Sequence, residues 1–219
     1  MNWNVPNLLT VLRLLAAPAI AVFFLLMPRP FADWAALAVF ICASLTDYLD
    51  GYLARRWKQV SKLGAMMDPI ADKAMVVIAL AVMVVFSSLS LWILFPATLI
   101  LFREVFVSGL REFLGDVAGT LKVTQLAKWK TATQMVAISV LIIQGLFEHY
   151  FGMWTWGMDY QIVQDILAGT GEDPLGVRHL YNGMIWSTYG AIGLMWIAAV
   201  LTVITGFDYF RKAAPHLRD

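Results

Sequence analysis

Residues 47–72 read Asp47-Tyr-Leu-Asp50-Gly51-Tyr-Leu-Ala54-Arg55, eight further residues, then Gly64-Ala-Met-Met-Asp68-Pro-Ile-Ala-Asp72. Burying one carboxylate in an apolar setting costs several kcal/mol unless something compensates it. Four together repel one another unless cations or protons hold them, so the cluster predicts a metal site. Oxygen-only ligands select hard cations such as Mg²⁺, Mn²⁺ or Ca²⁺. Zinc is disfavoured, since the chain has one cysteine and three histidines, and His149, His179 and His216 are scattered without ligand spacing. Two adjacent divalent ions clamp both sides of a phosphoryl displacement, and Arg55 adds a fork of donors for phosphate oxygens. The chemistry indicated is attack on a phosphate ester or anhydride.

The elements that must position these groups are helices in a membrane. The chain has 219 residues, of which 60% are hydrophobic and 14% charged, against about 25% charged in a soluble domain. Its mean hydropathy is +0.71. Several apolar runs approach the roughly 20 residues that cross a bilayer. Six spans are expected, at about Leu14–Met27, Ala32–Ala54, Gly64–Phe86, Leu91–Leu110, Thr131–Phe147 and Met184–Phe207. Residues 1–13 read as a short N-terminal amphipathic segment, with Pro6 or Asn7 opening a helix and Trp3 at the interface. No cleavable signal peptide is expected. The fold class is therefore all-α integral membrane, in one domain over residues 1–219.

Asp47 and Asp50 are three apart and Asp68 and Asp72 four apart, so each pair shares a helix face. A hairpin of spans 2 and 3, with the basic stretch Arg56–Leu63 as its turn, brings the pairs together. Gly51, Ala54 and Gly64 are small enough to let backbone or ligand approach closely. Basic residues set the orientation. Arg55, Arg56, Lys58 and Lys62 fall between spans 2 and 3; Arg111, Lys122, Lys128 and Lys130 between spans 4 and 5; Arg211, Lys212 and Arg218 in the tail. The other side holds only Arg29 and Arg178. Both termini and the aspartates are thus expected on the cytoplasmic side. Residues 148–182, with five acids and the turn residues Gly169, Gly171 and Pro174, read as an external acidic loop containing one short helix at Gln161–Leu167. Trp34, Trp92, Trp154 and Trp156 fall near span ends, as an aromatic belt does. Cys42, within span 2, reads as an inert buried thiol.

A single Asp-x-x-Asp carries little information, but the full string fixes eight positions over 26 residues. It resembles, without a gap, the signature of the CDP-alcohol phosphatidyltransferase family. The resemblance implies a homodimeric membrane enzyme with six transmembrane helices that transfers a phosphatidyl-type group from a CDP-linked lipid to an alcohol, releasing CMP. It implies that Asp47, Asp50 and Asp68 bind divalent metal, Mg²⁺ or Mn²⁺ and two ions in number, with Asp72 also contacting a metal and acting as the general base. Asp50, Gly51, Ala54, Arg55, Gly64 and Asp68 then shape the site for the CDP-lipid. Thr10 and Arg13 are further candidate substrate contacts on resemblance alone.

Other strings are similar to the bacterial branch of that family whose acceptor is glycerol-3-phosphate. They are Asn4-Val-Pro-Asn-Leu-Leu-Thr10-Val-Leu-Arg13, Arg103-Glu104-Val-Phe-Val-Ser-Gly-Leu-Arg111-Glu112 and Lys128-Trp-Lys130-Thr131. The resemblance covers residues 1–147 and the final span; residues 148–182 exceed the length it leads one to expect. Arg103 and Arg111 lie two helical turns apart on one face. With Lys128 and Lys130 they form a candidate basic pocket for the acceptor's phosphate. The plainer readings are that the lysines follow the orientation rule and that Arg103 pairs with Glu104 or Glu112. The expected donor is CDP-diacylglycerol and the expected products are phosphatidylglycerol phosphate and CMP, in the bacterial inner membrane, with membrane lipids and a second copy of the chain as partners and no nucleic acid. The alternatives are the same chemistry on serine, inositol phosphate or phosphatidylglycerol, or, in a different class, a divalent-cation transporter. Against the transporter, the acids bunch at one side and the remaining spans are apolar.

Overall fold

A computed structural model describes residues 5–57, 61–87, 90–120 and 125–217, with the backbone alone at residues 6, 47–57, 62, 65, 116 and 120. The described residues form seven α-helices: α1 Val5–Leu26, α2 Phe31–Trp57, α3 Lys62–Phe86, α4 Leu91–Leu114, α5 Gln125–Thr155, α6 Tyr160–Ala168 and α7 Val177–Ala213. No strand occurs among them. Helices α1, α3, α4, α5 and α7 are long and apolar enough to cross a membrane, while the apolar part of α2 is the shorter Phe31–Thr46.

Helix α1 packs on α2 and α3, and α7 packs on α5 and α4. The two groups join where α5 meets α2 and α3. One continuous apolar core draws on all six long helices, through residues such as Ile20, Phe40, Leu80, Ile100, Ile138 and Met195. Fully buried Ala17, Ala36, Ala79, Ala137, Ala198 and Ala199 let the backbones approach. The outside is equally apolar: Leu25, Leu91, Phe102, Val105 and Phe207 are all exposed, a surface suited to lipid.

Several expectations are corrected. Residues 5–13 are not a separate amphipathic segment but the first turns of α1. Pro6 is tolerated there because a first-turn N–H has no helical partner, and the polar residues Asn7, Thr10 and Arg13 are buried rather than interfacial. Helix α5 begins before Lys128 and continues past Glu148, and α2 continues through Arg56. Lysine and arginine are good helix formers and carry charge out on long stems, so helices outrun their apolar windows. Lys58 and Lys122 lie outside the described residues.

The acidic stretch 148–182 is also largely helical. Asp159 caps α6 by accepting from Gln161 N (2.8 Å). Asp173 accepts from Val177 N (2.7 Å) and Arg178 N (3.1 Å) at the start of α7. Gly169 ends α6 at φ 82°, a left-handed conformation that favours glycine. The expected helix Gln161–Leu167 thus sits inside α6, and two of the acids that suggested a loop are helix caps. Cys42 is exposed, not buried; it shares an outward face of α2 with Ile41 and Leu45.

At the end of the bundle where α1 joins α2, Arg29 donates from Nε (2.8 Å) and Nη2 (2.7 Å) to the two oxygens of Asp33. The hydrogen bond to Asp33 raises the Arg29 pKa against the opposing effect of burial. Arg29 also lies over the Phe86 ring, 5.6 Å from its centroid. A Cβ at Gly145 would overlap Arg29 Nη2 and come within 3.0 Å of Asp33 Oδ1, so α5 carries glycine where the pair must fit. Asp33 is 1% exposed, and removing its partner strands a buried carboxylate. Arg29→Leu is therefore expected to destabilise the fold by about 3 kcal/mol, read as a lowered thermal midpoint in detergent, with Arg29→Lys less affected.

Candidate active site

The site begins where α1 lies along α3. Asn7, Thr10 and Arg13 follow one another at three-residue intervals and so share a face of α1. Ser61, the N-cap of α3, accepts from Gly64 N (3.0 Å) and donates to Asn7 Oδ1 (2.7 Å). Gly64 is buried in this contact, and a Cβ there would come within 2.8 Å of Asn7 Oδ1. One turn on, Thr10 donates to Asp68 Oδ1 (2.7 Å). Arg13 pairs through Nη1 with Asp72 Oδ1. Thr10 and Arg13 are buried, whereas the Asp72 side chain is 42% exposed. The two α1 residues suspected of touching substrate therefore hold the α3 carboxylates from behind.

Those carboxylates open into a cavity of about 460 Å³ between α3, α4 and α5. All four residues of the expected basic pocket line it: Arg103, Arg111, Lys128 and Lys130. Lys73 brings the lining cations to five, facing Asp68, Asp72 and Glu104. The surplus of positive charge suits an anionic ligand.

Glu104, absent from the sequence-based candidates, keeps this cation cluster together. It is buried and accepts from Arg103 Nη1 (3.2 Å) and from Lys130 Nζ. The plainer reading of Arg103, an ion pair with Glu104, is realised without removing Arg103 from the cavity wall. Lys73 donates to Ser108 Oγ (2.5 Å), which in turn donates to Glu104 O (2.5 Å). Gln134 also lines the cavity, and its Nε2 donates to Thr202 Oγ1 of α7 (3.1 Å), both residues being buried. The adjacency of Arg103 to Glu104 is visible in the sequence; the pairing across to Lys130 of α5 is not.

Residues 3–161 match the CDP-alcohol phosphatidyltransferase family. The chain belongs to that family. Full-length relatives agree: a CDP-diacylglycerol–glycerol-3-phosphate 3-phosphatidyltransferase of Cereibacter sphaeroides is 56% identical over 219 residues, covering 100% of this chain and 99% of the relative. The enzyme of the same name from Escherichia coli is 32% identical over 221 residues, and that from Salmonella choleraesuis 33%, each covering 100% of both chains.

Within the family signature, the backbone of α2 carries Asp47, Asp50, Gly51, Ala54 and Arg55 in its last turns, while their side chains lie outside the described residues. Among the described residues, no three Asp, Glu, His or Cys side chains come together as a metal site. The half of the signature on α3, Gly64, Asp68 and Asp72, sits at the contact with α1 and the mouth of the cavity.

The Glu104–Lys130 pair is testable by a double-mutant cycle. Glu104→Gln should destabilise the fold, because Arg103 and Lys130 then face each other uncompensated. In the Lys130→Met background the same change should cost less, with a coupling of about 2 kcal/mol in detergent unfolding measurements.

Proposed function

We propose that the chain transfers the phosphatidyl group of CDP-diacylglycerol to the 1-hydroxyl of glycerol-3-phosphate, giving phosphatidylglycerol phosphate and CMP. The observation that carries this reading is the cavity that places Asp72 opposite Arg103, Arg111, Lys128 and Lys130. It offers a proton acceptor on one wall and hydrogen-bond donors for phosphate oxygens on the others. The names of full-length relatives support the same donor and acceptor.

Asp68 and Asp72 present only hard oxygen donors to the cavity, which fits Mg²⁺ or Mn²⁺. Together with Asp47 and Asp50 of the same signature they would hold the metal, in two ions. When bound, divalent cations neutralise the charge of the donor's diphosphate and polarise the phosphorus under attack.

The rest is work for the chain's own residues. Arg13 orients the Asp72 carboxylate. Arg103, Arg111, Lys128 and Lys130 bind the acceptor's phosphate and so place its 1-hydroxyl near Asp72. Asp72 takes the hydroxyl proton. The oxygen forms its bond to the phosphorus that bears diacylglycerol, and the bond from that phosphorus to the bridging oxygen breaks. CMP leaves with that electron pair. Gly51 and Ala54 leave room for the nucleotide, Gly64 lets Asn7 of α1 seat against α3, and Arg55 binds the phosphate oxygens.

The setting we propose is a single six-span domain in the bacterial inner membrane, with α2 as the sixth span. Its 27 residues extend about 40 Å at 1.5 Å per residue. The distribution of Lys and Arg supports cytoplasmic termini, a cytoplasmic active site and an external 148–182 segment. The family resemblance supports a homodimer.

Detergent-solubilised protein should release CMP from CDP-diacylglycerol with glycerol-3-phosphate; release with serine instead would overturn the choice of acceptor. Chelation should abolish turnover and Mg²⁺ or Mn²⁺ restore it. Asp72→Asn should lower turnover by at least about a hundredfold with the protein still folded but at a lower thermal midpoint, since buried Arg13 loses its carboxylate partner; substantial remaining activity would remove Asp72 from the role of base.

A further inference from the structure

The two cavity arginines are shaped by the last turns of α7, a helix outside the family-matched segment 3–161. At Gly206 a Cβ would lie 2.9 Å from Arg103 Cγ and 3.6 Å from its Nε. The Arg103 stem thus rests against bare α7 backbone while Glu104 holds its far end. An added Cβ would meet the middle of the Arg103 stem and not its flexible tip, so Arg103 could make room only by shifting as a whole.

Three residues along the same helix, the Tyr209 ring lies 5.1 Å from Arg111 Cζ. The ring is itself fixed, in a small apolar cluster with Val107, Leu114 and Ala213. Its hydroxyl is buried and has no hydrogen-bond partner among the described residues, so the ring's aromatic face is what it offers Arg111. Arg111 is exposed, and a free arginine loses considerable rotamer entropy when it clamps a ligand. A ring beneath the guanidinium takes up that freedom beforehand. It uses the face of the group and leaves the N–H donors at its edge for phosphate oxygens.

We propose that Gly206 and Tyr209 are positioning residues that set the selectivity of the cavity for a phosphomonoester acceptor, by fixing Arg103 and Arg111 as a pre-formed phosphate clamp. This rests on the reaction proposed above. Neither residue touches the reacting atoms; each acts through an arginine.

Steady-state kinetics with both substrates varied tests it. In Tyr209→Leu the KM for glycerol-3-phosphate should rise about tenfold, as loss of a partly desolvated cation–π contact implies. The KM for CDP-diacylglycerol should stay at the wild-type value. Tyr209→Phe, which keeps the ring, should restore the acceptor KM. Gly206→Ala should give the same acceptor-specific rise through Arg103, and reads the clamp independently should Tyr209→Leu fail to fold. An unchanged acceptor KM, an equal rise in both KM values, or a Tyr209→Phe as impaired as Tyr209→Leu would overturn the inference while leaving the reaction standing. Wild-type protein that releases no CMP with glycerol-3-phosphate would overturn the reaction itself, and this inference with it.

Discussion

Asp68 and Asp72 stand on a helix whose next three turns are almost wholly Ala, Val, Ile, Leu and Met. Carboxylates so placed must be met by donors on neighbouring helices or by cations, and α1 supplies the donors. Thr10 takes Asp68 and Arg13 takes Asp72, which fixes the rotation of α1 against α3. Asn7 then meets the N-cap of α3, and the buried small residues above it, Ala17 and Ala79 among them, bring the helices together. At the opposite end, Asp33 imposes the same demand on Arg29 and on the glycine at 145. Between these polar ends the core is apolar. The bundle is organised less by its apolar contacts, which are nearly interchangeable in lipid, than by where its few charges must be satisfied.

The cavity follows the same rule on a larger scale. Five cations around one cavity, Lys73 from α3, Arg103 and Arg111 from α4 and Lys128 and Lys130 from α5, would repel one another. Glu104 prevents this by accepting from Arg103 and Lys130 at once, tying α4 to α5. Its own burial is tolerable only because both partners are present. The acids on α3 and the surplus cations on α4 and α5 are thereby held on opposite sides of one space. That separation lets Asp68 and Asp72 share one cavity with a surplus of cations.

The signature aspartates and the basic quartet were legible in the sequence because spacing along a helix is a local property. Arg103 and Arg111 had to share a face, and they do line one cavity. The roles of Thr10 and Arg13 were not legible, because partnership between α1 and α3 is fixed by tertiary packing; the three-residue rhythm of Asn7, Thr10 and Arg13 was the available signal. At Lys128 and Lys130 basic stems let α5 begin before its apolar stretch, so the helix start lies upstream of the expected span. The stretch 148–182 looks loop-like from its acids and its turn residues Gly169, Gly171 and Pro174, but Asp159 and Asp173 satisfy the first turns of helices. Cys42 was misjudged for a reason peculiar to membranes, where an apolar residue gains nothing by facing inward.

The placement of charge also separates an enzyme from a conduit. A transporter for divalent cations needs polar groups spaced across the bilayer, since an unaccompanied charge at its centre is costly. Beyond Lys73, α3 continues through Met75, Val76, Ala79, Leu80 and Met83, all buried. They face Ile138, Leu141 and Ile142 of α5 in one apolar cluster. A cation held at Asp68 and Asp72 meets no oxygen ligand among those residues. The open side of Asp68 and Asp72 is the cavity lined by Arg103, Arg111, Lys128 and Lys130, from which a lipid donor and a soluble phosphate acceptor would arrive in the proposed reaction. An acid cluster closed toward the membrane and open toward a basic cavity is arranged to bring two substrates together at one end, not to pass an ion to the other.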